Sequence, residues 1–436
     1  MGMNLNEAEH PGHVTGLHPQ ETSVSPPGAT LAHAAGWSQF ESSAAAGTLA
    51  RLEPANDAFS FWKLPEQWRE PLAQLSGLSE PMARHLLLEE YLEKDGRRPP
   101  AGLYSCYYRV KRLVPEGLRH WLNALVVRSR RQREFPRWPC ESALLEFWRQ
   151  WLHDALARLG ASTGWHIGFW PGGRRCAIVL THDVESPLGL KRVAEMAALE
   201  ESYGFRSAWN VPLGQYPIDW SLVARLKARG FEFGAHGLRH DGALFRDLRR
   251  FASLAPELEK LARCHGLRGF RAPSTLRRAD WITMMNFEFD SSFADTDPYE
   301  PQPGGSCSLF PFHLGATVEL PYTLAQDHTL LHILRREPLA PWLTKARWIA
   351  SLGGMILSLT HPDYVGAGRY LAQYEELLRH LAAIDSAWRA LPSEVARWWR
   401  QRAAMRLVLE DGRPQILGAG AESAAARPLA EEPLAR

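Results

Sequence analysis

From Arg175 onward the chain alternates short apolar runs with longer segments whose apolar residues recur every three or four positions. The runs cover 176–184, 207–213, 231–236, 269–273, 287–293, 318–323 and 354–361, and each reads as a β-strand. The segments between them carry helix punctuation. Ser186-Pro187 opens one, with a capping side chain followed by proline at the first helical position, and Gly204 closes it. Asp219 opens the next and Gly230 ends it. Strands alternating with helices of this length imply parallel βαβ units, and seven of them predict an α/β fold, an irregular (β/α)7 barrel closed or nearly closed on itself.

Upstream the pattern is different. Residues 46–172 mix aromatic clusters with helical periodicity, clearest over 81–92 and 140–159, and read as a mainly helical accessory region before a barrel over 173–415. Residues 1–45 and 416–436 are rich in small residues and proline, lack periodicity, and are expected to be disordered tails. Between Tyr104 and Trp138 nine Arg or Lys residues face two acids, interleaved with Tyr107, Tyr108, Trp121 and Leu125. This segment is either a solvated basic helical face or a peripheral surface that meets anionic lipid head groups or an acidic glycan.

Composition narrows the function classes. A formal net charge of +2 over 436 residues gives no field that would favour nucleic acid. Cys106, Cys140, Cys176, Cys264 and Cys307 are scattered and odd in number, without a C-x-x-C pair, so neither a disulfide framework nor a zinc finger is implied. No apolar stretch approaches membrane-helix length, and the first thirty residues hold Glu, His, Gln and Pro where a signal peptide needs an apolar core. The expectation is a cytoplasmic protein.

The informative polar residues fall where the runs end, the end at which β/α barrels carry their active sites. The first run ends in Thr181-His-Asp183-Val-Glu185, and residues two apart on an extended segment point to the same side. Two such carboxylates are costly to hold together unless a cation or a shared proton relieves the repulsion. The third run ends in His236 and, four residues on, His240, a spacing that on a helical turn puts both imidazoles on one face. A carboxylate from the first strand completes a His₂-carboxylate metal set with an open position for water. Arg271, in Arg271-Ala-Pro273-Ser274, can hold a neighbouring carboxylate ionised, and His361, in Leu359-Thr-His361-Pro-Asp363, is suited to act as a general acid. Two loops after predicted strands, Asp295-Thr-Asp297-Pro-Tyr299 and Gln326-Asp327-His328, are candidate substrate contacts.

In this order and spacing the motifs resemble the polysaccharide deacetylase family, the group sharing the NodB homology domain; the likeness spans about residues 175–365. It implies a distorted (β/α)7 barrel that removes N-acetyl groups from amino sugars with one divalent metal ion, most simply zinc, with cobalt, nickel, iron or manganese as alternatives. Carried over by position, Asp183 is the base, His236 and His240 are ligands, Arg271 orients Asp183, His361 protonates the leaving amine, and a backbone N–H near Ser274 binds the oxyanion. Two departures stand out. The family's carboxylate ligand is usually Asp, whereas here it is Glu185 or else Asp183 itself, and Ser274 stands where an aromatic residue is common. Two further readings remain beside the deacetylase: hydrolysis of a non-sugar amide, and a carbohydrate-binding protein that kept the fold without turnover.

Overall fold

The computed structural model describes residues 56–94 and 135–431. The expected tail over 1–45 and all but the last few residues of the basic segment lie outside them.

The helical region begins with Ala58–Trp62, capped by Asp57, whose side chain accepts from the Ser60 N–H. Ala73–Leu87 and Ala143–Leu159 follow. The helical periodicity of the sequence is clearest from residue 81. The helix itself starts earlier and runs through Pro81, which forfeits one backbone hydrogen bond. Strand β1 (Trp165–Ile167) leads into the barrel.

All seven expected strands are present, and their order builds the sheet. β2 (Cys176–Asp183), β3 (Ser207–Val211), β4 (Glu232–Ala235), β5 (Gly269–Phe270) and β6 (Phe289–Asp290) pair in sequence, each parallel to the last. β7 (Phe312–Leu314) and β8 (Thr317–Glu319) form a hairpin, through which β8 returns parallel to β6. β9 (Met355–Thr360) pairs with the other edge of β2. No regular ladder joins β8 to β9. There the N–H groups of Thr323 and Leu324 both reach the Leu357 carbonyl at 3.0 Å, drawing the curled sheet together. β2 and β9 are buried at every position, as parallel strands covered on both faces must be.

Helices Pro187–Ser202, Trp220–Ala228, Leu248–Cys264 and Leu339–Ser351 cover the outside. The expected caps at Ser186 and Asp219 accept from the N–H groups of their first turns. One connection departs from the βα repeat: between β6 and β8 the chain makes a long loop and the β7 hairpin rather than a helix.

Two expectations about domain edges change. The chain beyond 416, expected as a tail, folds as far as 431. β10 (Ala387–Arg389) has joined β2, and β11 (Arg406–Glu410) pairs with β12 (Arg413–Leu417). β13 (Ala426–Pro428) then covers β1. A three-residue strand is too short to leave a periodicity, yet it satisfies the edge of β1 and buries Leu429. The helical region, for its part, shares the barrel's core. Phe61 stacks on Trp148 at 3.7 Å and meets Phe310 edge-on, and the buried Arg402 donates to the carbonyls of Phe61, Ile167 and Gly168. The described residues, 56–94 and 135–431, thus belong to one compact unit. Among the described residues no helix is long and apolar enough to cross a membrane.

Candidate active site and metal centre

The C-terminal ends of the strands converge. Asp183 closes β2, His236 and Arg271 directly follow β4 and β5, and His361 directly follows β9. Parallel pairing in register brings these four ends to one mouth.

His236 is 1% exposed, and its Nδ1 lies 3.0 Å from the Arg271 carbonyl. That contact makes Nδ1 the protonated nitrogen and leaves the lone pair on Nε2, which is buried without a hydrogen-bond partner. Burial keeps this imidazole below its ordinary pKa, and therefore neutral, against the pull of Asp183. His240 reaches the same space by a different route from the one its spacing suggests. Residues 236–240 are a bent loop, not a helical turn. The bend is at Gly237, with φ of 71°, where a Cβ would come within 2.9 Å of Pro273 Cγ. The two rings end with centroids 5.5 Å apart.

Glu185 completes the group. Its Oε1 lies 2.8 Å from His240 Nε2 and 3.6 Å from His361 Nε2. One ligand-type atom from each of Glu185, His236 and His240 lies within 4.8 Å of the other two. An orphaned imidazole nitrogen, a second imidazole and a carboxylate at this spacing fit a divalent ion of the zinc type. Burial works against the Glu185 charge, but His240 and His361 outweigh it and carry its carboxyl well below the usual range.

Asp183 is held apart from this triad. Its Oδ1 accepts from Asn210 Nδ2 at 2.9 Å and from Arg271 Nη1 at 3.2 Å, while Oδ2 lies 3.8 Å from His236 Nε2. Burial raises its carboxyl, and the neighbouring His236 ring and Arg271 guanidinium more than offset that, so Asp183 lies below the ordinary carboxylate range. Arg271, fully buried, is itself fixed through Nε to the Ser291 carbonyl at 2.7 Å, Nη2 to Ser291 Oγ at 2.6 Å, and Nη1 to Thr181 Oγ1 at 2.8 Å.

Asp327 belongs with His361. The sequence groups it with substrate contacts, but it is fully buried, with Oδ1 2.6 Å from His361 Nδ1 and Oδ2 accepting the His361 backbone N–H at 2.7 Å. No face of this carboxylate is left for a substrate. Burial opposes the charge on His361, and Asp327 reverses the balance, raising that imidazole well above its usual pKa. His328 remains at the rim, 33% exposed on its side chain, with Nδ1 3.4 Å from Glu300. Ser274 is half-buried in the turn after Arg271, where it and Thr275 adopt φ of 55° and 49°. Consecutive left-handed residues without glycine, one of them β-branched, mark backbone strain beside the site. Asp295 and Asp297 are buried in their own loop, Asp295 against Lys345 at 2.7 Å, and contact no ligand-type residue of the mouth.

Asn210 and Gln215 escaped the motif reading. Asn210 is a polar residue in a strand buried at every position and otherwise built of apolar and small residues, a signal open to sequence inspection. Gln215, on an exposed loop, gives no such signal.

Fold and site together define an α/β barrel with a candidate His₂-Glu metal centre at its mouth. No family model matches the chain, and no curated protein does either. Among solved structures it is similar to a putative polysaccharide deacetylase from Mycobacterium smegmatis (18% identity, TM-score 0.42, covering 53% of this chain and 92% of that one). It is also similar to a probable polysaccharide deacetylase from Pseudomonas aeruginosa PAO1 (16%, TM-score 0.43, 53% and 93%) and to Puue allantoinase (15%, TM-score 0.43, 53% and 92%).

Proposed function

We propose that this chain is a metal-dependent hydrolase of the polysaccharide deacetylase type, releasing acetate from an N-acetylated amino sugar of a glycan or glycan precursor. The observation that supports this most is the pairing of two separate devices at one mouth: the Glu185–His236–His240 cluster and, beside it, an ionised Asp183 held by Arg271 and Asn210.

Glu185, His236 and His240 would hold a divalent ion, which when bound would supply Lewis acidity toward the amide carbonyl and lower the pKa of the attacking water toward neutral. Asp183 takes the proton of the attacking water through Oδ2, since Oδ1 is engaged by Arg271 and Asn210. His361 delivers a proton to the leaving amine from Nε2, because Asp327 holds Nδ1–H and so sets the tautomer and the ring's direction. The backbone N–H of Ser274 is assigned to the oxyanion.

Elemental analysis of the purified chain and acetate release from N-acetylated oligosaccharides test this together. About one metal per chain is expected, with activity lost to a chelator and restored by zinc. His236→Ala and His240→Ala lose the metal. Asp183→Asn keeps it and loses turnover by about 10²–10⁴-fold. A wild-type protein that takes up no zinc, cobalt or nickel overturns the proposal. Metal without acetate release moves the substrate to a non-sugar amide. Loss of metal from Asp183→Asn makes Asp183 the ligand.

A further inference from the structure

The three candidate ligands are not held alike. His236 directly follows β4, is 1% exposed, and is fixed by its ring contact to Arg271 and by its own N–H, which reaches the Val211 carbonyl at 2.9 Å. Glu185 lies two residues beyond β2 and His240 five beyond β4, with side chains 22% and 19% exposed. Glutamate also has one more rotatable bond than aspartate, so more freedom is lost when its carboxylate is placed. Something other than the strands must set the distance between these two loops.

The loop after β3 lies between them and touches both. The N–H groups of Leu213 and Gly214 reach the carbonyls of Gly237 and Leu238 at 3.0 and 2.8 Å, which extends the β3–β4 pairing past the strand ends. On the other side Tyr216 Oη donates to the Val184 carbonyl at 2.5 Å. Gln215 then spans the gap. Its Nε2 donates to the Glu185 carbonyl at 2.7 Å, and its Oε1 accepts the His240 N–H at 2.6 Å. One amide thereby bridges the backbones of two ligand residues that are 55 positions apart in the chain. The amide suits this role, since its single planar group offers a donor and an acceptor side by side, and Asn is shorter by a methylene.

We infer that Gln215 is the positioning residue that sets the Glu185–His240 separation and so the metal affinity of this site. The inference rests on the metal-site reading above. Gln215 touches neither the Asp183–Arg271 pair nor the His361–Asp327 pair, so its effect falls on metal binding ahead of the proton-transfer groups. Partners that orient ligands typically contribute 10–100-fold to metal affinity.

Zinc affinity is measured by competition with a chromophoric chelator on metal-stripped full-length wild type, Gln215→Ala and Gln215→Glu, alongside His236→Ala and the thermal midpoint of each metal-free protein. Gln215→Ala is expected to bind zinc about 10–100-fold more weakly, with its metal-free midpoint at the wild-type value because the side chain is exposed. Gln215→Glu keeps the acceptor for His240 N–H but loses the donor to the Glu185 carbonyl, and is expected to fall between the two. Gln215→Ala within threefold of a wild type that does bind zinc overturns the latch and leaves the metal site standing. So does a Gln215→Ala midpoint that falls along with its affinity, if Gln215→Glu shows no affinity loss at an unchanged midpoint. A wild type no tighter than His236→Ala removes the metal site and the latch together.

Discussion

Replacing Arg271 by methionine would test whether the buried charge network at the mouth is organised as described. Arg271 is fully buried and Asp183 is 2% exposed. Without the guanidinium, Asp183 retains one neutral donor, Asn210 at 2.9 Å, and a histidine kept neutral by burial. The Ser291 carbonyl also loses its partner at 2.7 Å. Methionine fills a similar volume, so the cavity contribution is small. What remains is a carboxylate stranded in the protein interior, and removing one member of a buried pair costs about 3–5 kcal/mol. Asp183→Asn strands the guanidinium instead and carries a cost of the same order. In the double variant neither charge is left alone. Its loss is expected to fall short of the sum of the single losses by about 2–3 kcal/mol. Urea unfolding of metal-free protein, followed by far-ultraviolet circular dichroism and tryptophan fluorescence, measures all four species. With a slope of about 3 kcal/mol per molar urea, Arg271→Met should lower the midpoint by about 1 M or more. Additivity within about 0.5 kcal/mol would refute the claim that these two residues hold each other. Arg271→Lys keeps the charge but loses the fork that reaches Ser291, Thr181 and Asp183 at once, and should recover only part of the loss.

Asp327→Asn is expected to lower kcat for acetate release by about 10²–10⁴-fold with KM and bound metal little changed, because it disturbs the proton donor and none of the ligands; unchanged kcat would remove Asp327 from the donor pair. Glu232 gives a prediction in pH. Burial pushes its carboxyl up to about 7, with Ser393 opposing that shift and Glu394 and Glu288 adding to it. The folded protein therefore holds this proton more tightly than the unfolded chain, whose ordinary value is 4.5. Its stabilising contribution is complete below about 4.5 and is lost as pH rises toward 7. Glu232→Gln should flatten that part of the stability profile by on the order of 1–3 kcal/mol, the side chain being only partly covered. Denaturant midpoints measured at pH 4.5 and 7.5 check it, and parallel wild-type and variant curves would sink it.

What the sequence by itself determined is what depends on neighbours along the chain. Seven strands were legible because each is a short apolar run ended by its own turn chemistry, and the caps at Ser186 and Asp219 accept from backbone N–H groups two or three positions away. The positions of Asp183, His236, Arg271 and His361 followed, because the C-terminal ends of parallel strands share one mouth. Tertiary structure decided which of these groups touch. The Arg271–Asp183 contact spans 88 residues, and the Asp327–His361 contact 34. Such contacts depend on register and loop path, for which spacing is no guide. That is why Asp327 reads as a substrate contact until its carboxylate is found spent on His361, and why His236 and His240 meet through a bend at Gly237 rather than a helical turn. The β7 hairpin, the cover of β13 over β1 and the shared packing of Phe61 with Trp148 and Phe310 belong to the same class. Each fills an edge or a core surface that exists only once distant parts of the chain have come together, so no local pattern can announce it.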